Sequence, residues 1–306
     1  LSSSLQSEQG SRFLGKYNRN VTVKVGDDVE PSDDLQWFPF TSVQRALLTD
    51  FAVNTDARST LVTTPWECLV PGRLPFDSTG ESSPLRRLLA ASFCADSEPS
   101  VAEVVELLDE ARAQFVFDRE VAPLWELPGW TVSVDEVRSP GDELDVVHVS
   151  VECSGREVDS WDQPLVASSV VGEVSLVCQQ RRGILEFLFC AMPELGFSEG
   201  VQFGPTVQVL GGPTLMSAVI DERATTLREL AASADRVLTV LQSDEGGRFL
   251  RSISRYSVDL LDASVQVPEI DGCVWMPLST VHAVLQQQGV FTNEARSALS
   301  LLLGQL

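Results

Sequence analysis

One pattern occurs twice in this chain. Residues 7–23 read SEQGSRFLGKYNRNVTV and residues 243–259 read SDEGGRFLRSISRYSVD, an internal duplication that commits both stretches to the same local structure. Arg12 and Phe13 fall on Arg248 and Phe249 at an offset of 236, the difference between 248 and 12, and Arg19 falls on Arg255 at the same offset. Downstream the offset becomes 238, the difference between 275 and 37. Trp37, Pro39 and Val43 match Trp275, Pro277 and Val281, and Asp56-Ala57-Arg58-Ser59 matches Glu294-Ala295-Arg296-Ser297. The copies differ in what precedes them. The second follows a long stretch, from Trp130 through GREVDSWDQPLV and FGPTVQ, that has no counterpart ahead of the first, because the chain begins at Leu1. The first copy is therefore expected to be a half-repeat, either in a fragment or in a protein that has lost its first half-domain.

The spacing of apolar residues predicts an α+β protein. Asn18 to Val25 alternates as a half-buried strand, and Thr41 to Leu48 has helical spacing at Val43, Leu47 and Leu48. The second copy repeats the order with a strand over Tyr256–Leu261 and a helix over Thr280–Gln287. A closing helix over Asn293–Leu303 is expected to open on an Asn293 cap. Gly72 to Ser83, rich in Gly, Pro and Ser, reads as a linker or surface loop. The clearest helix is Ser100–Phe115. Ser100 can cap it with Glu103 three residues on, and Val101, Val104, Val105, Leu107, Leu108 and Ala111 form an apolar stripe. From Asp145 to Val209 the runs VVHVSV, EVSLVCQ, ILEFLFCAM and VQFGPTVQV read as successive strands of a curved sheet.

Composition excludes several function classes. With 306 residues and 43% hydrophobic content the chain can bury a full core. No apolar run reaches the roughly 18 residues of a membrane helix, so no membrane partner is expected and the protein is expected to be cytoplasmic. A net charge of −22 repels phosphate backbones, which argues against nucleic acid. Six cysteines (Cys68, Cys94, Cys153, Cys178, Cys190, Cys273) lie far apart without a CxxC pair and read as reduced core thiols. The two histidines, His148 and His282, are distant from each other and belong to no HExxH or clustered-Asp pattern, so neither metal nor other cofactor is expected. GxSxG, P-loop and strand-borne GxGxxG motifs are missing as well, and with them the mechanical parts of serine hydrolases, nucleoside triphosphatases and dinucleotide enzymes.

Three places could hold a ligand. Trp161 and Gln163 in WDQPL put a flat ring beside an amide, a pair able to stack on a base and bond its edge; the alternative is a core Trp at a strand start. Thr206 and Gln208, two residues apart, would share a strand face, or merely follow a turn. Arg248 follows Gly246-Gly247, where a ligand can approach the backbone, and with Arg255 it would suit a diphosphate. Both arginines recur in the first copy, so structural ion pairs are the alternative.

Together LQSEQGSRFLGKYNRN, TDARSTL, GREVDSWDQPLV, PELGFSEGVQFGPTVQ, SDEGGRF and NEARSALSLLL resemble the NDP-hexose 2,3-dehydratases of deoxysugar biosynthesis, in the family's order and over nearly the whole chain. The resemblance implies Nudix-like repeats with curved mixed and antiparallel sheets flanked by helices. Residues 1–70 would be the end of a first repeat, 71–120 a linker and helical connection, and 121–306 a complete second repeat. It further implies a homodimer and a thymidine diphosphate 4-keto-6-deoxyhexose substrate. Such an enzyme is a carbon–oxygen lyase that removes the C3 proton, acidified by the C4 ketone, and expels the C2 hydroxyl.

The chain departs from the family in places that matter. Val137-Arg138-Ser139-Pro140 stands where members usually carry a histidine. Where they tend to read GVLHFL and then Gln or His, Ala and a basic residue, this chain has Gly183-Ile184-Leu185-Glu186-Phe187-Leu188 and Cys190-Ala191-Met192. Glu186, in place of a histidine, is the candidate base, and Cys190 and Met192 would line a less charged pocket. Two rival readings follow: a repurposed cavity that cyclises or dehydrates an apolar polyketide-like intermediate, and a non-catalytic homologue.

Overall fold

A computed structural model describes residues 1–306 apart from 27–28, 34, 78–82, 141–144, 156, 169, 211–220 and the side chains of 221–222. The first copy folds as a hairpin, β1 (Ser2–Ser7) and β2 (Tyr17–Thr22), with Ser2 opposite Thr22 and Ser7 opposite Tyr17. Helices α1 (Phe40–Leu47), α2 (Thr55–Val62) and α3 (Trp66–Leu69) follow. Residues 78–82 of the expected linker lie outside the described residues. Immediately after them Ser83 caps α4 (Pro84–Phe93), its hydroxyl accepting from the Arg86 N–H at 3.2 Å. The expected capping box holds in α5 (Val101–Gln114), where Ser100 and Glu103 bond each other's backbone. Of its apolar stripe, Val104, Leu108 and Ala111 are buried, whereas Leu107 points outward.

Two sheets follow. β3 (Thr131–Val132), β4 (Glu136–Arg138), β5 (Asp145–Glu152) and β6 (Ser160–Ala167) form an antiparallel series. β7 (Gly172–Arg181) and β8 (Ile184–Pro193) form a hairpin within a second, mixed sheet. The run VQFGPTVQV is broken at Pro205, which has no N–H to give to a ladder. Its halves, β9 (Val201–Gly204) and β10 (Val207–Val209), pair with β8 and β7 respectively. After α6 (Asp221–Ala232) the second copy adds β11 (Asp235–Ser243), β12 (Phe249–Leu250), β13 (Ile253–Leu261) and β14 (Cys273–Pro277). It closes with α7 (Leu278–Val284) and α8 (Asn293–Leu303). The mixed sheet runs β11-β13-β7-β8-β14, with β13 parallel to β7; β12 joins the other sheet beside β6, giving β12-β6-β5-β4-β3.

The mixed sheet is buried on both faces. Phe187, Phe189 and Ala191 of β8 face a core shared with α2, α4, α5, α7 and α8, while Leu188 and Cys190 face α6 through Leu227 and Leu230. Helix α8 is buried along its whole length. Each of Leu299, Leu301, Leu302 and Leu303 is fully enclosed, contributing about 1.5–3 kcal/mol before entropy is counted. The cap of α8 is Thr292 rather than Asn293: its backbone is extended and its hydroxyl accepts from the Ala295 N–H at 3.1 Å. Asn54 does the same for α2, accepting from Ala57.

The cysteine expectation needs correction. Cys190 and Cys273 lie directly opposite each other on adjacent antiparallel strands and form a disulfide, Cys178 is a buried thiol, and Cys68, Cys94 and Cys153 are exposed. Widely separated cysteines meet because β14 returns to β8, a pairing that spacing does not encode.

Candidate functional site between the two copies

The duplicated loops meet face to face. In the first copy, Glu8 to Phe13 leaves β1; in the second, Asp244 to Phe249 leaves β11. Gln9 donates to Asp244 at 3.0 Å, and Arg248 reaches back to Glu8 at 3.2 Å. Phe13 and Phe249 pack edge to face, and the Arg248 guanidinium lies 4.8 Å over the Phe13 ring. Beneath the loops α2 and α8 cross with matched partners. Arg58 donates to Ser300 at 3.0 Å, while Arg296 donates to Ser59 at 2.8 Å, to the Phe291 carbonyl and to the Ser7 carbonyl. Burial pulls both guanidiniums down to about 10, still fully cationic at neutral pH.

Glu194, just past the end of β8, is the carboxylate this meeting isolates. It accepts from the Ser11 N–H at 3.0 Å and from Gln208 Nε2 at 2.7 Å. Burial pushes it up to about 7, against the opposing effects of those donors and of the Arg12 charge. The loop of the first copy reaches it only because two glycines touch: Gly196 N–H donates to the Gly10 carbonyl at 2.8 Å. A Cβ on Gly196 would sit 1.9 Å from the Phe13 carbonyl oxygen. Glu294, at the start of α8, is completely buried. Neither of its oxygens has a hydrogen-bond partner on another residue among those described, and burial with the Glu194 charge raises it to about 8. Asp244 is likewise raised by burial.

The expected site residues divide. Gln208 is bound to Glu194, and the space beside Gly204 is shared by Met192 and Gln208. Trp161 Nε1 donates to Gln163 Oε1 at 2.6 Å, and Gln163 Nε2 donates to the Gly247 carbonyl at 3.0 Å, which places this pair against the Arg248 loop. Thr206 bridges strands instead: its hydroxyl donates to the Leu188 carbonyl and accepts from Val177 N–H. Cys190 is sealed in the layer under α6 by its disulfide and neighbours. Arg255 is exposed on β13, away from the Arg248 contacts. Glu186 lies at the far end of β8, roughly 26 Å from Glu194 for eight extended residues, and its two oxygens are held by Arg181 and Arg182. The sequence reading passed over Glu194 although PELGFSEG contains it. An acidic residue closing an apolar strand just before a glycine turn was the available signal.

The carboxylates of Glu8, Asp56 and Glu245 lie within 4.8 Å of one another. Arg248 contacts Glu8 and Glu245, and the Arg296 charge acts on Glu8 and Asp56, so two guanidiniums already balance this group. His148, exposed on β5, lies 3.8 Å from Asp162 of β6. His282 accepts from the Trp66 N–H between Trp66 and Phe93, with burial lowering its proton affinity. No helix among the described residues is long and apolar enough to cross a membrane.

The model of the NDP-hexose 2,3-dehydratase family matches residues 1–63 and 101–302. The chain is 32% identical over 301 residues to a dTDP-4-dehydro-6-deoxy-alpha-D-glucopyranose 2,3-dehydratase of Streptomyces violaceoruber, covering 97% of this chain and 63% of that protein. Proteins of the same description from Saccharopolyspora spinosa and Amycolatopsis orientalis are each 28% identical, with 61% and 58% of their lengths covered. The chain thus spans about three-fifths of the curated relatives it matches. Among solved structures, an ADP compounds hydrolase aligns at TM-score 0.30 and 15% identity over 56% of this chain and 86% of that one. The NUDIX domain of Shewanella oneidensis NrtR, complexed with ADP ribose, aligns at 0.21 and 19% over 37% and 76%.

Proposed function

Because the chain belongs to the NDP-hexose 2,3-dehydratase family, we propose that it is a carbon–oxygen lyase acting on a thymidine diphosphate 4-keto-6-deoxyhexose. The observation that carries this reading is a continuous polar line across the two copies. It runs from Trp161 and Gln163, through Gly247, Arg248 and Glu8, to Gln9 and Asp244, and the same first-copy loop reaches Glu194, with its partner Gln208, through the Ser11 N–H. One end offers a ring and an amide for a base, the middle a guanidinium for a diphosphate, and the far end a buried carboxyl for proton transfer. Enclosure of Cys190 in the packed layer under α6 takes away one of the two residues on which an apolar pocket would rest.

The hairpin also leaves Val21 of β2, and Val23 just beyond it, facing solvent at a strand edge, which supports a homodimer that covers it; a sedimentation mass of one chain would refute that. The nucleotide is tested by thermal unfolding with thymidine diphosphate and with uridine diphosphate as control. Binding at about a hundred times the dissociation constant adds roughly 2.7 kcal/mol, so a thymidine-specific rise in the midpoint is expected and no rise with either nucleotide would reject the reading.

A further inference from the structure

We propose that Glu194 is the general base and proton carrier of the dehydration, presented to the sugar by a turn from the other copy. The inference rests on the dehydratase reading and deepens it. Among the described carboxyls of this region Glu194 combines enclosure with a route outward: its partner Gln208 and the neighbouring Met192 are both partly exposed, as is Arg12, whose charge acts on it. The others fail one requirement each. Glu294 has no exposed surface, Asp244 is only partly enclosed, Glu8 is ion-paired with Arg248, and Glu186 is ion-paired with two arginines at the other end of β8.

Two backbone contacts hold the carboxyl in place from the first copy: the Ser11 N–H bond and the Gly10–Gly196 contact. Burial, opposed by its hydrogen-bond donors and the Arg12 charge, puts its proton affinity at about 7, which suits a base that must both take and return a proton. In the step itself, the Glu194 carboxylate takes the C3 proton, and the C3–H electron pair becomes the C3=C4 double bond of an enolate. Collapse of the enolate restores the C4 carbonyl, forms C2=C3 and expels the C2 oxygen with its electron pair. The Glu194 carboxylic acid then returns its proton to that oxygen, which leaves as water, and the carboxylate is regenerated. One hydrogen and one hydroxyl are lost and no oxidant or reductant enters. The Arg12 cation stands near the carboxyl to stabilise the enolate charge.

The test uses thymidine diphosphate 4-keto-6-deoxyglucose in deuterated water, following deuterium entry at C3 and water loss, with nucleotide affinity measured separately by thermal shift. Glu194→Gln is expected to lose at least about 100-fold in both exchange and dehydration while binding thymidine diphosphate as tightly as the parent. Glu194→Asp, which keeps the carboxylate, should recover part of the exchange and preserves the test if the Gln variant fails to fold. Glu294→Gln should retain exchange and leave the acid limb of its pH profile in place, because Glu294 is still protonated over the range in which Glu194 titrates. The proposal is overturned if Glu194→Gln binds nucleotide and exchanges at the parental rate, or if Glu186→Gln abolishes exchange and Glu194→Gln does not. If the parent chain neither binds the nucleotide nor exchanges, the dehydratase reading falls first, and this assignment with it.

Discussion

The two copies share a sequence pattern, yet only one of them completes a sheet. Both make an antiparallel hairpin and a capped helix that crosses its twin, α2 against α8. In the second copy, residues 273–277 become β14 by pairing with β8, and Met276 is fully buried. Their first-copy counterparts, residues 35–39, have no such partner among the described residues, form no strand, and leave Trp37 and Phe38 63% and 68% exposed. The loops diverge in the opposite sense. Gly10 and its neighbours are clamped against the 194–197 turn, whereas a Cβ on its counterpart Gly246 would meet nothing within 4 Å. Short-range pattern therefore sets hairpin, cap and helix, and the long-range partner decides which loop becomes part of a site.

The comparison breaks most visibly in its buried arginines. Arg296→Met is expected to cost about 3–5 kcal/mol in denaturant unfolding, because Glu294 would lose the Arg296 charge and three acceptors would lose their donor. Arg58→Met, whose donors reach only Ser300 and the Val53 carbonyl, should cost about half as much. An equal loss from the two would show that the crossing is symmetric in energy as well as in sequence. Next come the glycines: Gly196→Ala should cost about 3 kcal/mol by forcing the copies apart, and Gly246→Ala should stay within about 0.5 kcal/mol.

Much of this was legible in the chain. The apolar spacing located β2, α1, β13, α7 and α8, the match of residues 56–59 to residues 294–297 aligned α2 with α8, and the Ser100 to Glu103 spacing located α5, since caps and amphipathic stripes are local; β1, β11 and the helical state of α2 were not legible. What escaped required a partner distant in sequence. The Cys190–Cys273 disulfide depends on β14 meeting β8, and the inward role of Glu194 depends on Gly10 arriving from 184 residues away. Glu186 drew attention as a substituted family histidine, but Arg181 and Arg182 at the β7–β8 turn already neutralise it. The closing-helix cap slipped by one residue because Thr292 and Asn293 are both capping types, and only backbone conformation chooses between them.

Smaller effects sharpen the contrast. Glu194 and Glu294 keep their protons in the folded chain to about 7 and about 8, whereas the unfolded chain releases them near 4.5. Their contribution to stability is full below that value and lost as the pH rises through the folded values. The unfolding free energy should therefore fall between about pH 5 and pH 8, by up to roughly 1.4 kcal/mol per pH unit for each group, and Glu294→Gln should flatten that slope. An unchanged slope in the variant would place the proton uptake elsewhere. His282 works in the other direction, its contribution being lost as the pH falls. The tryptophans come last. Trp275→Ser, which removes a half-buried ring under the Arg181 guanidinium, should cost about 2 kcal/mol, and the exposed Trp37→Ser within about 0.5 kcal/mol.

The central claim, that one site is assembled from both copies, is tested most directly by determining the structure of the chain with thymidine diphosphate bound. The base is expected on Trp161 and Gln163, the diphosphate beside Arg248, and the open end of the ligand directed along Glu8 and Asp244 toward Glu194. A nucleotide seated beside His148 of β5, or touching residues of one copy alone, would contradict it.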